Sequence, residues 1–406
     1  MAASHPEFVQ SFVAFVTGNP NQGVYLGTSG PHDRLPDPSI EAADARVARA
    51  RVLLAELASL PPTDSFHDSL DRDLMELELG AAVLRNTLQL SGRLQLRQLP
   101  TVGEDVGSPL FLLFVNDPRP PSERLSDITA RLLGVPAFVD AMLARLDRPV
   151  ARWVSIDVEK VDELPGLFAT LLGWAEHEGW DRRDELARAI DGANTALAAY
   201  TAALKAMPTT QDIHVGQAAA KAIVASKGID LDLDALHVMA TEYLAEIHAD
   251  LDALGLTLAK KYSLDPAISH ADLAKHLDEL FAVKLDDPDD MNGVLRRYEA
   301  ERARILAFIE ERDLFPILDD QDMKIMATPP FMEPSIPAGA MMPPPPLRSG
   351  TKTSLVYLTL KPELLAEHTE LGIPMMMVHE GIPGHHLQLA TAAAHPSPVR
   401  RLYDGA

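Results

Sequence analysis

The chain contains no cysteine. Disulfides and thiolate metal sites are both excluded, so any metal must be held by histidine and carboxylate. It also has few basic residues: 36 Lys and Arg stand against 59 Asp and Glu, which gives a net charge of −23 and a pI near 4.9. That balance opposes binding to nucleic acid or to an anionic membrane surface. No uninterrupted apolar run of about 18 residues occurs, so no transmembrane helix is expected. The start, Met1 to Glu7, lacks the basic and then apolar regions of a secretory signal, and the expected compartment is the cytoplasm. Convincing internal repeats are absent too.

What is present is one dense run of chemistry, Val378-His379-Glu380-Gly381-Ile382-Pro383-Gly384-His385-His386-Leu387-Gln388. Neutral imidazoles beside a carboxylate are the donor set of a catalytic zinc site. The spacing departs from H-E-x-x-H, whose two His lie one helical turn apart on one face. In a straight helix His385 would sit roughly 240° around from His379, and His386 would lie about 10 Å along the axis. Neither could share an ion with His379. Pro383 removes an N–H and Gly384 tolerates dihedrals closed to other residues, so a bulge or kink at Gly381 to Gly384 is expected to bring a later His back beside His379.

The segment resembles the bacterial domain-of-unknown-function family 885, whose hallmark H-E-x-x-P-G-H-H-L-Q is grouped with zincin-like metallopeptidases. Every fixed position is matched, by His379, Glu380, Pro383, Gly384, His385, His386, Leu387 and Gln388. The resemblance implies Zn²⁺ held by His379 and His385, with His386 the rival second ligand. It also implies Glu380 as general base for peptide hydrolysis and His386 as a supporting or oxyanion-stabilising donor. In the family the third ligand is thought to lie in a downstream Glu-Gly-Trp-Ala element, which this sequence does not contain. Asp404 and His395 are the substitutes on offer. The expectation is therefore a C-terminally incomplete zinc peptidase acting on peptide substrates. The alternative is a truncated or split chain without activity of its own, serving as a complementing subunit, a homo-oligomer or a binding scaffold.

The rest reads as mainly α: one large helical, zincin-like domain over residues 1–406 with a small β element beside the metal-motif helix. Residues 1–320 form a helical scaffold, 321–362 a Pro-rich arm and edge strand, and 363–406 the motif helix and tail. Helices are expected at Glu7 to Val16, Ile40 to Leu60 and Ser65 to Leu90, the last with Leu70, Leu74, Leu77 and Val83 inward. A loop is expected from Gly18 to Ser39. The run Leu110 to Val115 fits a strand or a buried helical turn equally well. Further helices follow at Ser122 to Leu133, Pro136 to Leu146, Val150 to Trp174 with a kink or restart at Pro165, and Arg182 to Met207. Asp232 is placed to cap Leu233 to Leu258, whose His237 and His248 read as helix-surface or interior groups. Asp286-Asp287-Pro288-Asp289-Asp290 reads as a solvated turn rather than a Ca²⁺ loop, and Asp290 to Asp313 as a charged helix. The Pro-rich stretch Ala327 to Ser349 reads as an extended arm near the site. Ser354 to Leu360 is the clearest strand. By resemblance its Tyr357, Leu358 and Thr359 are the substrate-binding candidates, through strand addition.

Overall fold

The computed structural model describes residues 5–285, 290–336 and 338–402. It is mainly helical with two small sheets. The chain opens with α1 (His5–Thr17), α2 (Pro20–Leu26), α3 (Ile40–Ser59) and α4 (Phe66–Thr87). A short hairpin of β1 (Gln89–Leu90) and β2 (Arg93–Leu94) leads into α5 (Val102–Val115), α6 (Pro121–Arg145), α7 (Ala151–His177) and α8 (Arg183–Ala206). Next come α9 (Gly216–Ala225), α10 (Leu233–Lys261), α11 (His270–Leu280) and α12 (Asn292–Arg312). The three-stranded sheet of β3 (Gln321–Ala327), β4 (Gly339–Met342) and β5 (Lys352–Leu358) precedes α13 (Gly372–Met376), α14 (His385–Ala393) and α15 (Pro398–Leu402).

The main core lies between α5, α6, α7 and α8. The run Leu110 to Val115 proves helical, and ten residues of α5 are buried. A helix enclosed by neighbours on all sides is apolar all round, which is why its sequence imitates a strand. Pro136 and Pro165 do not interrupt α6 and α7. An internal proline costs about 3 kcal/mol. In α6 the buried residues Leu132, Val135, Phe138 and Val139 straddle Pro136, and burying each such side chain returns about 1.5–3 kcal/mol. A second cluster joins α1, α3 and α4, where Phe8, Phe12, Leu53 and Leu57 pack with Met75 and Leu79. The inward face of α4 is therefore Met75, Leu79 and Ala82, one step round from the expected Leu70, Leu74, Leu77 and Val83, which are half-buried.

The expected loop from Gly18 contains α2. Asn19 Oδ1 accepts the backbone N–H of Asn21 at 2.8 Å, Pro20 opens the helix, and Gly27 closes it at φ 72°. The Pro-rich arm is not a linker either. Leu347 N–H donates to Leu26 C=O at 2.9 Å, and a Cβ on Gly27 would meet Pro345 Cβ at 2.7 Å.

The arm and strand share the core with the helices. In β5, Leu355 and Tyr357 belong to the main core, while Val356 and Leu358 pack with Tyr298, Ile305 and Ile309 of α12 and with Met377. The alternating faces of one strand thus weld the helical body to the segment that carries the motif. The strand is central, not an edge: β3 pairs with it in parallel and β4 antiparallel.

Two features bear on stability and association. The half-buried Asp105 accepts from Thr101 Oγ1 at 2.6 Å and Asn21 Nδ2 at 3.1 Å, and desolvation pushes its carboxyl up to about 6. A carboxyl whose pKa rises on folding contributes stability that is complete below the unfolded value of 3.8 and is lost as pH rises through 6. Asp105→Asn should therefore flatten the stability profile between those values and gain on the order of 2 kcal/mol at pH 7 over the parent, measured by urea unfolding at several pH values. The other feature is α10, of whose 29 residues only Ala259 is buried. Asp232 caps it as expected, and His237 and His248 are exposed. The turn Asp286 to Asp289 lies outside the described residues. Among the described residues no helix is long and apolar enough to cross a membrane.

Candidate metal centre

Helix α13 runs directly into a wider π-type turn, Met377–Gly381, with Ile382 extended behind it at φ −119°, ψ 127°. A cis Ile382–Pro383 peptide and Gly384 follow, and α14 starts at His385. The break expected between Gly381 and Gly384 is present. Its tightest point is Gly384, where a Cβ would lie 2.0 Å from His379 O and 2.3 Å from Val378 O. Backbone rests on backbone there, as only glycine allows. That approach folds α14 back so that the His379 and His385 rings stand 4.8 Å apart at 87°.

Glu380 joins them. The donor atoms of His379, Glu380 and His385 lie within 4.8 Å of one another, and His379 Nε2 is 3.9 Å from Glu380 Oε1. Both histidines are exposed while the Glu380 side chain is 14% exposed, so the imidazoles are the accessible donors and the carboxylate lies more covered beside them. They edge an open depression of about 610 Å³ whose other walls include Pro374, Met375, Val378 and Gln388. Two imidazoles lining an accessible hollow, with a carboxylate beside them, fit a divalent zinc-type ion with sides left for substrate. Among the described residues no other group of three His, Asp or Glu donors comes together this way.

His386 is not part of this group. It is 0% exposed and faces the sheet, where Ser354 Oγ lies 2.7 Å from Nδ1 and Gln321 Oε1 meets Nε2. Nε2–H donates to the Gln321 oxygen, and the Ser354 hydroxyl donates to Nδ1. Burial, reinforced by Arg302, pulls its pKa down to about 4 and keeps the ring neutral. Consecutive residues of a helix point about 100° apart: His385 faces the hollow, and His386 anchors α14 to β3 and β5. The expectation of a rival ligand or an oxyanion donor at His386 is corrected on that ground.

The substrate-binding expectation at Tyr357, Leu358 and Thr359 is corrected as well. These residues are 1%, 0% and 2% exposed, and both edges of β5 are taken. No edge remains there for strand addition. His395 stands apart from the donor group, with Nδ1 accepting from Ser397 N–H at 3.0 Å and Nε2 facing Arg400. Asp404 lies outside the described residues. The anchors Ser354 and Gln321 escaped the sequence reading, since nothing local marks a partner 32 or 65 positions away.

Fold and site together define a mainly helical protein that carries a two-histidine, one-glutamate donor group on a broken helix. Residues 20–406 match the family described as bacterial protein of unknown function (DUF885), and the chain belongs to that family. Two solved structures share the fold. A putative lipoprotein of unknown function from Shewanella oneidensis is 16% identical at TM-score 0.68, over 99% of this chain and 74% of its own. A putative lipoprotein from Colwellia psychrerythraea is 11% identical at TM-score 0.77, over 100% of this chain and 75% of its own. No functionally curated protein matches.

Proposed function

We propose that the chain is a zinc-dependent, zincin-like peptidase that hydrolyses peptide bonds at the depression beside His379 and His385. The observation that carries this reading is the convergence of His379, Glu380 and His385 donor atoms within 4.8 Å, with the two histidines lining an open hollow. His379 and His385 would hold the ion. Zinc bound there supplies Lewis acidity, lowering the pKa of water and polarising a carbonyl. Glu380, beside both rings, takes the proton of the attacking water and returns it to the leaving nitrogen as the C–N bond breaks. The outer edge of β4 replaces β5 as the element proposed to align substrate backbone, because β4 is the sheet's terminal strand and packs beside Met376.

The test is hydrolysis of a mixed peptide library by the zinc-loaded protein, read by mass spectrometry, with Glu380→Gln as the paired variant. The variant should lose about 10²–10⁴-fold in rate and keep its zinc. Equal rates, or no cleavage by the loaded parent, would overturn the proposal. With two histidines as its only protein ligands, zinc should also leave on dialysis against a mild chelator. Retention at one equivalent would show that a further donor completes the site.

A second reading, association with another chain, is favoured by α10. Ala240, Leu244, Ile247, Leu251, Leu254 and Leu258 alternate four and three apart, the spacing of a coiled-coil seam. Of these Leu244, Leu251 and Leu254 are 55%, 46% and 52% exposed. An apolar stripe of this kind marks an interface. Light scattering after size exclusion should give a mass above the 44.2 kDa of one chain, and Leu251→Glu should restore the monomer. A parent that is monomeric throughout contradicts self-association.

A further inference from the structure

A cavity of about 870 Å³ lies away from the metal group and shares no lining residue with the hollow there. It opens where α1, α4, α9 and α15 meet. Its walls are of two kinds. Phe12, Val16, Leu77, Leu84, Ile223 and Leu402 give an apolar body, while Asn19, Gln22, Arg46, Glu78, Arg85 and Gln95 give a polar side.

The charges on that polar side do not balance. Arg85 takes Glu78, at 2.5 Å. Arg46 has no carboxylate within ion-pair distance among the described residues. Its guanidinium stacks 4.3 Å over the Phe15 ring, and Nη1 donates to the Phe15 carbonyl at 3.2 Å. A guanidinium has five N–H donors, and among the described residues only the Phe15 carbonyl accepts from Arg46. Among the described residues the cavity thus carries Arg46 and Arg85 against Glu78, in a chain whose net charge is −23. Burial and the repulsion of Arg85 hold the Arg46 pKa below its usual range, opposed in part by Glu78, and a bound anion would offset that cost further.

We infer that this cavity binds an amphiphilic carboxylate, a medium-chain fatty acid, with its head on Arg46 and its chain along the apolar wall of α1 and α4. The volume lies within the range of about 300–1,000 Å³ usual for small-molecule sites. The planar fork of Arg46 matches a carboxylate bidentately, and Asn19 and Gln95 supply polar neighbours. A bare anion would leave the apolar walls wet, and an uncharged lipid would leave Arg46 unpaired. The ligand class follows from needing both ends.

The experiment is calorimetric titration of the full chain, without added metal, using decanoate, decanol and acetate. Decanoate should bind in the micromolar range, at least about tenfold tighter than decanol, and acetate should give no heat. Arg46→Gln should weaken decanoate about tenfold or more while leaving decanol unchanged. Ala81→Phe, which fills the cavity from α4 and leaves the Arg46 side chain unaltered, should abolish both. Far-ultraviolet circular dichroism confirms that each variant is folded. No decanoate binding at millimolar concentration, equal binding of decanol, equal binding of acetate, or an unaffected Arg46→Gln would each overturn the inference. None of these readouts depends on zinc or peptide cleavage.

Discussion

Gly384→Ala should cost the protein its metal affinity by roughly 100-fold or more and its stability by about 2–3 kcal/mol. A methyl group there meets the His379 and Val378 carbonyl oxygens at 2.0 and 2.3 Å, and both are backbone atoms that cannot rotate aside. To admit it, the π-type turn and α14 must separate, which carries His385 away from His379. The paired control is Gly381→Ala. Its Cβ would meet Met377 Cε at 2.8 Å and Met323 at 3.4 Å, the ends of flexible side chains. That variant should lose less than about 1.5 kcal/mol and bind zinc within a few-fold of the parent. Zinc titration against a competing chelator, with thermal unfolding on the same samples, measures both. Equal zinc affinity in the two variants would show that the break does not position the ligands.

The adjacent histidines should part company when each is replaced. His386→Ala removes a buried ring and leaves the Ser354 hydroxyl and the Gln321 amide oxygen without their partner. Cavity and unmet hydrogen bonds together should cost about 3 kcal/mol. The folded fraction should still take up zinc. His385→Ala truncates an exposed side chain and should change stability by no more than about 0.5 kcal/mol, yet abolish zinc uptake. Unfolding in urea and metal analysis of the folded fraction, done on both variants, separate anchor from ligand. The reverse pattern would return His386 to the metal group.

This contrast shows where the sequence was legible. The break in the motif helix could be read from Pro383 and Gly384 because local backbone chemistry dictates it. The order His385 outward and His386 inward could not, because it is set by Ser354 and Gln321 across the sheet. The strand at 354–360 was evident from its β-branched and aromatic composition, and the structure gives Lys352–Leu358. Its central place was not evident, since the second edge is supplied by Gly339–Met342, four residues inside a Pro-rich stretch with no strand pattern of their own. Helix α2 did carry its signals, Asn19, Pro20 and Gly27, but the surrounding Gly, Pro and Asn concealed them. Leu110 to Val115 stayed ambiguous for the opposite reason, because full burial erases the period that distinguishes helix from strand.

The proposed activity depends on two rings separated by five residues sharing one ion. Zinc-edge X-ray absorption on the protein loaded with one equivalent measures this directly. Scattering from two imidazoles in the zinc coordination sphere, unchanged in folded His386→Ala, is the predicted result, with no zinc retained for measurement in His379→Ala or His385→Ala. A sphere with one imidazole or none in the parent would contradict it.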